Sequence, residues 1–121
     1  MIIGIGTDIV EINRFKKACE NKAFLLRCFT EDEIELINGN WSKAAGNFSV
    51  KESVSKCFGT GVAGFALKDI EVLRDSKGKP YVNLYSGALK IAESLGIKKV
   101  FVSISDTKET VVSFAVAEGE V

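Results

Sequence analysis

The sequence predicts an α+β fold in which an antiparallel sheet packs on one long central helix. Three observations carry this. The β-branched, glycine-rich residues 2–9 read as a buried strand, and a long helix starting at Asn40 or Ser42 runs to Phe58. Two pairs of strand-like segments, 68–84 and 100–117, are each joined by a short polar turn. A chain of 121 residues has the length of one domain, enough to bury about two-thirds of its unfolded surface. No repeat, linker or low-complexity tract divides it, so residues 1–121 are read as one domain.

Residues 2–9 are rich in β-branched side chains, and Gly4 and Gly6 mark where another backbone comes close. Asn13 offers an N-cap to a short helix of about two turns. Thr30, with Glu33 three positions on, is a capping-box pattern opening a second helix that stops near Gly39. Asn40 or Ser42 starts the long helix, and Gly59-Thr60-Gly61 ends it, glycine being suited to a left-handed cap. After the loop Val62–Ala66, the segment Lys68–Arg74 alternates with period two, Asp75–Gly78 turns, and Tyr81–Leu84 returns with Pro80 at its start. Ser86 caps a helix through Leu95 that Gly96 closes, and Val100–Ser105 with Thr110–Ala117 form a hairpin. The expected layout is about five strands and four helices in one α+β arrangement.

An apolar content of 46% with 26% charged residues and a single proline is that of a soluble globular protein. No apolar run approaches the roughly 20 residues that span a bilayer, and the N-terminus lacks a basic leader, so a cytoplasmic location is expected. Cys19, Cys28 and Cys57 are widely spaced and odd in number, which fits reduced packing residues rather than disulfides or a CxxC metal site. The formal net charge is zero, so nothing recommends nucleic acid or an anionic membrane as partner. The charges are unevenly placed, however. Between Asn13 and Cys28 stand Arg14, Lys16, Lys17, Lys22 and Arg27 against Glu20 alone, a basic surface suited to an acidic partner.

Histidine is absent, which removes the commonest general base and the commonest transition-metal ligand. Chemistry must then run on carboxylates, lysine and hydroxyls, and oxygen ligands of this kind suit magnesium. Asp8 closes the first strand, while Glu52 and Lys56 stand one turn apart on the face of the long helix that also carries Trp41, Ala45 and Phe48. Val50, Val54, Cys57 and Phe58 lie on the opposite side, so the helix is apolar on two sides and central, and burying Glu52 there is costly unless a cation meets it. Two carboxylates and an amine on separate elements suggest a metal-assisted phosphate site. Each element alone has an ordinary structural reading: Asp8 as a turn residue, Glu52 and Lys56 as an i,i+4 pair, Gly59-Thr60-Gly61 as a cap, and the basic run as a solvated helix face.

Taken together, Gly4-Ile5-Gly6-Thr7-Asp8-Ile9-Val10-Glu11-Ile12, Arg14-Phe15, Phe29-Thr30-Glu31-Asp32-Glu33, Phe48 with Lys51-Glu52 and Lys56, Gly59-Thr60-Gly61 and Ser103-Ile104-Ser105 resemble the holo-acyl-carrier-protein synthases. The resemblance runs in order along nearly the whole chain. It implies a small phosphopantetheinyl transferase, assembled as a homotrimer with sites between subunits. Such an enzyme moves the 4′-phosphopantetheine arm of coenzyme A to a serine of apo acyl carrier protein and releases adenosine 3′,5′-bisphosphate. Carried over by position, Asp8 and Glu52 correspond to the magnesium ligands, Lys56 to a donor toward the transferring phosphate, and Glu52 also to the base for the serine. Phe48, Ser55, Lys56, Gly59, Thr60, Pro80 and Ser105 match the coenzyme pocket, and Arg14, with Lys17 and Arg27 of the basic run, the surface that meets the carrier.

Two positions depart from the family pattern. Asn47 stands where an arginine of the long helix helps hold a coenzyme phosphate, and Asp106 stands where Ser-Ile-Ser is followed by histidine. These departures imply altered coenzyme binding. They are also the features that favour the alternative reading, a module that holds carrier protein or coenzyme A without transfer.

Overall fold

The computed structural model describes all 121 residues. In chain order the elements are β1 (Ile2–Glu11), α1 (Ile12–Ala18), α2 (Lys22–Cys28), α3 (Glu31–Ile37), α4 (Trp41–Phe58), a 3-10 turn (Leu67–Asp69), β2 (Ile70–Arg74), β3 (Pro80–Leu84), α5 (Ser86–Ser94), β4 (Ile97–Asp106) and β5 (Thr110–Gly119). The expected α+β class holds, with the strands divided between two antiparallel sheets, β1-β5-β4 and the separate hairpin β2-β3. No helix is long and apolar enough to cross a membrane.

Four helices were expected and five form. The additional one, α2, is started by Asn21, whose Oδ1 accepts from the backbone of Ala23 and Phe24 at 3.0 and 3.2 Å. Asn13 lies inside α1, which begins at Ile12 after Glu11, an N-cap that makes no side-chain capping bond. Tyr85, not Ser86, precedes α5, and Ser86 takes a left-handed φ of 47°. Lys68 and Asp69 belong to the 3-10 turn rather than to β2. The Thr30–Glu33 capping box forms as expected. At the far end of α4, Gly59 adopts φ 76° as its left-handed cap.

The central helix α4 serves two cores, as its two apolar sides require. Val50, Val54, Cys57 and Phe58 pack with β2, α5 and the inner face of β5. Ala44 and Ala45 pack with Ile12, Phe15, Phe29, Ile37 and Val111. All three cysteines are free and buried, and burial pushes the Cys19 and Cys57 thiols up to about 11 and that of Cys28 to about 12. These are inert packing groups.

The two glycines of β1 explain how α4 reaches the sheet. A Cβ on Gly4 would overlap the Cys57 carbonyl, and one on Gly6 the Ser53 carbonyl. Only glycine lets the helix lie this close to the strand. The opposite flank of α4 is fixed by a buried charge cluster. Lys51 Nζ donates to Glu33 Oε1 at 2.7 Å, with both side chains wholly buried, and also to the Leu67 and Ile70 carbonyls. Glu33 Oε2 accepts from Asn47 Nδ2 at 3.1 Å and from the backbone of Val72 at 3.3 Å. Burial raises the Glu33 carboxyl and lowers the Lys51 ammonium, and their mutual attraction opposes both shifts.

Candidate active site

Strand alternation decides which side chains of the three-stranded sheet meet α4. Asp8 pairs with Ser113 and Ser113 with Ile104, and this row faces the helix. The neighbouring rows, Thr7–Phe114–Ser103 and Ile9–Val112–Ser105, face away, as does Ile5–Val116–Phe101. Asp8 is held by groups that the sequence reading did not single out. Its carbonyl accepts from Ser49 Oγ at 3.3 Å, and Ser49 in turn meets Ser113 Oγ at 2.7 Å. Ser53 Oγ joins the same Ser113 hydroxyl at 2.6 Å. Three small hydroxyls thus tie α4 to β5 beneath the carboxylate. The signal available was their helical spacing opposite a small residue of β5, which has meaning only once strand pairing is known.

The expected cluster forms, with its pairing rearranged. Lys56 Nζ donates to the Thr7 carbonyl at 2.7 Å and to Asp8 Oδ1 at 3.4 Å. The i,i+4 pair of Glu52 with Lys56 does not form, because the ammonium turns across to β1. Glu52 is left half-buried with no side-chain hydrogen bond. Loss of water and the nearby Asp8 carboxylate raise its carboxyl above the usual range, and Lys56 offsets only part of this. Two carboxylates served by one lysine form a site short of positive charge. Such a pair fits a hard divalent cation that takes two protein oxygens and fills its remaining positions with substrate or water. Asp8 and Glu52 would hold it.

The other expected site residues divide into three places. Gly59 and Thr60 are exposed directly after the last turn of α4, where the Gly59 amide donates to the Lys56 carbonyl at 3.1 Å. Phe48 lies one turn before Glu52, stacks on Phe15 at 4.7 Å between ring centroids, and lines a groove of about 400 Å³ with Ile9, Val10 and Arg14. This groove lies between the end of β1, the start of α1 and Phe48 of α4. Arg14, Lys17 and Arg27 are all exposed, the first two on α1 and the third on α2, so the basic run is divided between two helices.

Pro80 lies elsewhere, in a polar groove of about 270 Å³ that it shares with Asn40, Ser42, Lys43, Arg74 and Asp106. Asp106 Oδ2 accepts the Ser42 hydroxyl at 3.0 Å. Ser105, two residues of strand away from Ser103, points to the outer face of the sheet, away from α4 and Asp8. Ser55 does not present its hydroxyl to a ligand: it is buried and its Oγ donates to the Lys51 carbonyl at 2.7 Å. Asn47 is also wholly buried, its amide bonded to Glu33 and the Val72 carbonyl, so it lines no groove. Along α4 the residue of the Pro80 groove nearest the cluster, Gly46, lies six positions before Glu52, about 9 Å at 1.5 Å per residue.

A family described as the 4′-phosphopantetheinyl transferase superfamily matches residues 4–115. The chain is 52% identical to the holo-acyl-carrier-protein synthase of Lachnoclostridium phytofermentans over 98% of its length and 97% of that protein's. Among solved structures it superposes on holo-ACP-synthase from Plasmodium yoelii with a TM-score of 0.89 at 35% identity, covering 100% of this chain and 98% of that one. It superposes on the Bacillus anthracis synthase in complex with CoA (3′,5′-ADP) with a TM-score of 0.83 at 35% identity, covering 99% of each. The chain therefore belongs to the phosphopantetheinyl transferases, and within them to the holo-acyl-carrier-protein synthase family, which makes it an enzyme.

Proposed function

We propose that residues 1–121 act as one domain that transfers the 4′-phosphopantetheine arm of coenzyme A to a serine of apo acyl carrier protein, with magnesium, in the cytoplasm. Adenosine 3′,5′-bisphosphate leaves. The observation that carries this reading is the charge imbalance at Asp8, Glu52 and Lys56: a half-buried carboxylate without a partner, beside a second carboxylate and one lysine. A divalent cation there would neutralise phosphate charge and favour departure of the nucleotide. Lys56 supplies a mobile donor to the transferring phosphoryl group. Glu52 accepts the serine proton, a role the absence of histidine supports.

The working unit is a homotrimer. Ile5, Ile9, Phe101, Val112 and Phe114 are exposed side by side on the outer face of the β1-β5-β4 sheet, and a contiguous apolar face of this kind favours a second copy. The resemblance to synthases whose sites lie between subunits supports a coenzyme that uses the polar groove of one subunit and the carboxylates of its neighbour, with Ser105 reached from the outer face. The basic face of α1 and α2, with Arg14, Lys17 and Arg27, receives the carrier protein. Phe48, Gly59, Thr60 and Pro80 contribute to the coenzyme pocket, and the buried Ser55 contributes through helix packing.

The deciding experiment incubates the protein with apo acyl carrier protein, coenzyme A and magnesium and follows the intact mass of the carrier. A gain of one phosphopantetheine arm that chelator abolishes is expected. No gain, on a carrier that another transferase modifies, would overturn the reading.

A further inference from the structure

Four residues of α4 stand on one stripe: Ser49, Glu52, Ser53 and Lys56, at i, i+3, i+4 and i+7. Two of them belong to the carboxylate cluster, and the other two are hydroxyls that the reaction does not use. Ser49, Ser53 and their common partner on β5, Ser113, are at most 1% exposed. Their three protons can be placed as one chain. Ser53 Oγ donates to Ser113 Oγ at 2.6 Å, Ser113 Oγ to Ser49 Oγ at 2.7 Å, and Ser49 Oγ to the Asp8 carbonyl at 3.3 Å. Every hydroxyl then donates once, and the chain ends on the backbone of Asp8. Thr7 Oγ1 closes the other side by donating to the Ser113 carbonyl at 3.0 Å. Packing alone does not ask for this arrangement. Replacing both partners of a buried hydrogen bond by apolar groups of the same shape is nearly neutral, and alanine is the better helix former. A fully satisfied buried network instead fixes one arrangement of the elements it joins.

What the network fixes is the separation of Asp8 from Glu52. Three side-chain hydrogen bonds join α4 to β1: Lys56 to the Thr7 carbonyl, Lys56 to Asp8 Oδ1, and Ser49 to the Asp8 carbonyl. The first two are lost when Lys56 turns to the transferring phosphate. Ser49 is then the side-chain tie that remains, and Glu52 lies within one turn of it on the same stripe. The close approach at Gly6, where a Cβ would overlap the Ser53 carbonyl, brings helix and strand near enough for side chains this short to span. We propose that Ser113 is a positioning residue of the metal site: through Ser49 and Ser53 it seats α4 on β1, and so sets the distance between the two carboxylates that hold the cation. Ser49 carries the connection to Asp8, and Ser53 steadies Ser113 from the far side. The proposal rests on the transferase reading with its divalent cation and deepens it. Groups that orient metal ligands without touching the metal are worth roughly tenfold to a hundredfold in affinity.

The test titrates the manganese(II) ion, a paramagnetic stand-in for magnesium, into protein holding coenzyme A and reads bound metal by electron paramagnetic resonance. Carrier protein is absent, so nothing turns over. Wild type, Ser113→Ala, Ser49→Ala and Ser53→Ala are compared, with Val50→Ala as a control that damages the other, wholly buried side of α4. Ser113→Ala and Ser49→Ala are expected to weaken manganese binding by on the order of tenfold and Ser53→Ala by less. Val50→Ala lowers the melting temperature and keeps the wild-type affinity. In the transfer assay the magnesium needed for half the maximal rate rises in step, with KM for coenzyme A in place. Unchanged manganese affinity in Ser113→Ala, or an equal loss in Val50→Ala, would overturn the assignment. If Ser113→Ala does not fold, Ser49→Ala decides alone by the same two criteria. Bound metal is read without turnover, so the expected order of affinities in a chain that transfers nothing would defeat the transferase reading and leave this one standing. A wild type that transfers yet holds no manganese defeats the proposal instead.

Discussion

Lys51 and Glu52 are neighbours on α4 with opposite circumstances. Lys51 is wholly buried, yet its ammonium is met by Glu33 at 2.7 Å and by two carbonyls. Glu52 is closer to solvent, yet it has no donor, and the one cation within reach is engaged by Thr7 and Asp8. The difference separates structure from function. Charges buried for architecture are satisfied within the chain, whereas charges kept for chemistry are left short of a partner that the substrate or metal brings. Replacing each in turn should therefore break different things.

The largest effect is expected at the unsatisfied side. Glu52→Gln keeps size and removes the charge that would hold a cation and accept a proton, so transfer should fall by about 10²- to 10⁴-fold, as should that of Asp8→Asn. Thermal stability should hold or rise, because repulsion between the two carboxylates disappears. Phosphopantetheine transfer by mass, with a melting curve on the same sample, checks both. A fall in melting temperature that matches the loss of rate would erase the distinction between the two regions.

At the satisfied side the order reverses. Lys51→Met strands Glu33 in the core and should cost about 3–5 kcal/mol of stability, read from urea unfolding. Lys56→Met, by contrast, removes an ion pair whose lysine is 53% exposed and should cost less than about 1 kcal/mol while abolishing transfer. Pairing Lys51→Met with Glu33→Leu should recover part of the lost stability, since no buried charge remains.

A third and smaller effect sharpens the comparison at the protein surface. The basic side chains of α1 and α2 are exposed and unpaired, so they too wait for a partner, here an acidic protein. Arg14→Glu should raise KM for carrier protein by about tenfold, more at low salt than at high, with KM for coenzyme A unchanged. A change in the coenzyme term instead would move Arg14 from the docking face to the coenzyme pocket.

The sequence made one region far more legible than the other. The carboxylates, the lysine and the close approach at Gly4 and Gly6 are local signals, and the family resemblance ordered them. The partner of Lys51 was hidden because Glu33 lies 18 residues away and already had a use as the N3 residue of a capping box. Ser49 and Ser113 could not be recognised before the register of β1 on β5 was known. Nor could Ser105 be placed on the outer face, since a hairpin read alone does not say which side meets the helix. Helix α2 is hard to recognise in a run rich in lysine and arginine, although Asn21 offers its cap. Asn47 stands in sequence at a ligand position of the family pattern, while the fold turns it into the core.

The smallest expected effect is a slope of stability against pH. In the folded chain the Glu52 carboxyl is held above its ordinary value of 4.5, first by burial and then by Asp8; in the unfolded chain it returns to that value. Between the two values the native state binds more protons than the unfolded state, so stability falls as pH rises through this window and levels off above it. Glu33, also raised, contributes a slope of the same sign, which makes the wild-type curve a sum. Subtracting the curve of Glu52→Gln isolates the part due to Glu52, and chemical denaturation at a series of pH values measures it. Magnesium should flatten this part, because a cation between Asp8 and Glu52 favours the ionised carboxylate that burial and repulsion disfavour. Parallel curves for the two proteins would place Glu52 out of electrostatic reach of Asp8, and the charge imbalance on which the site rests would be lost.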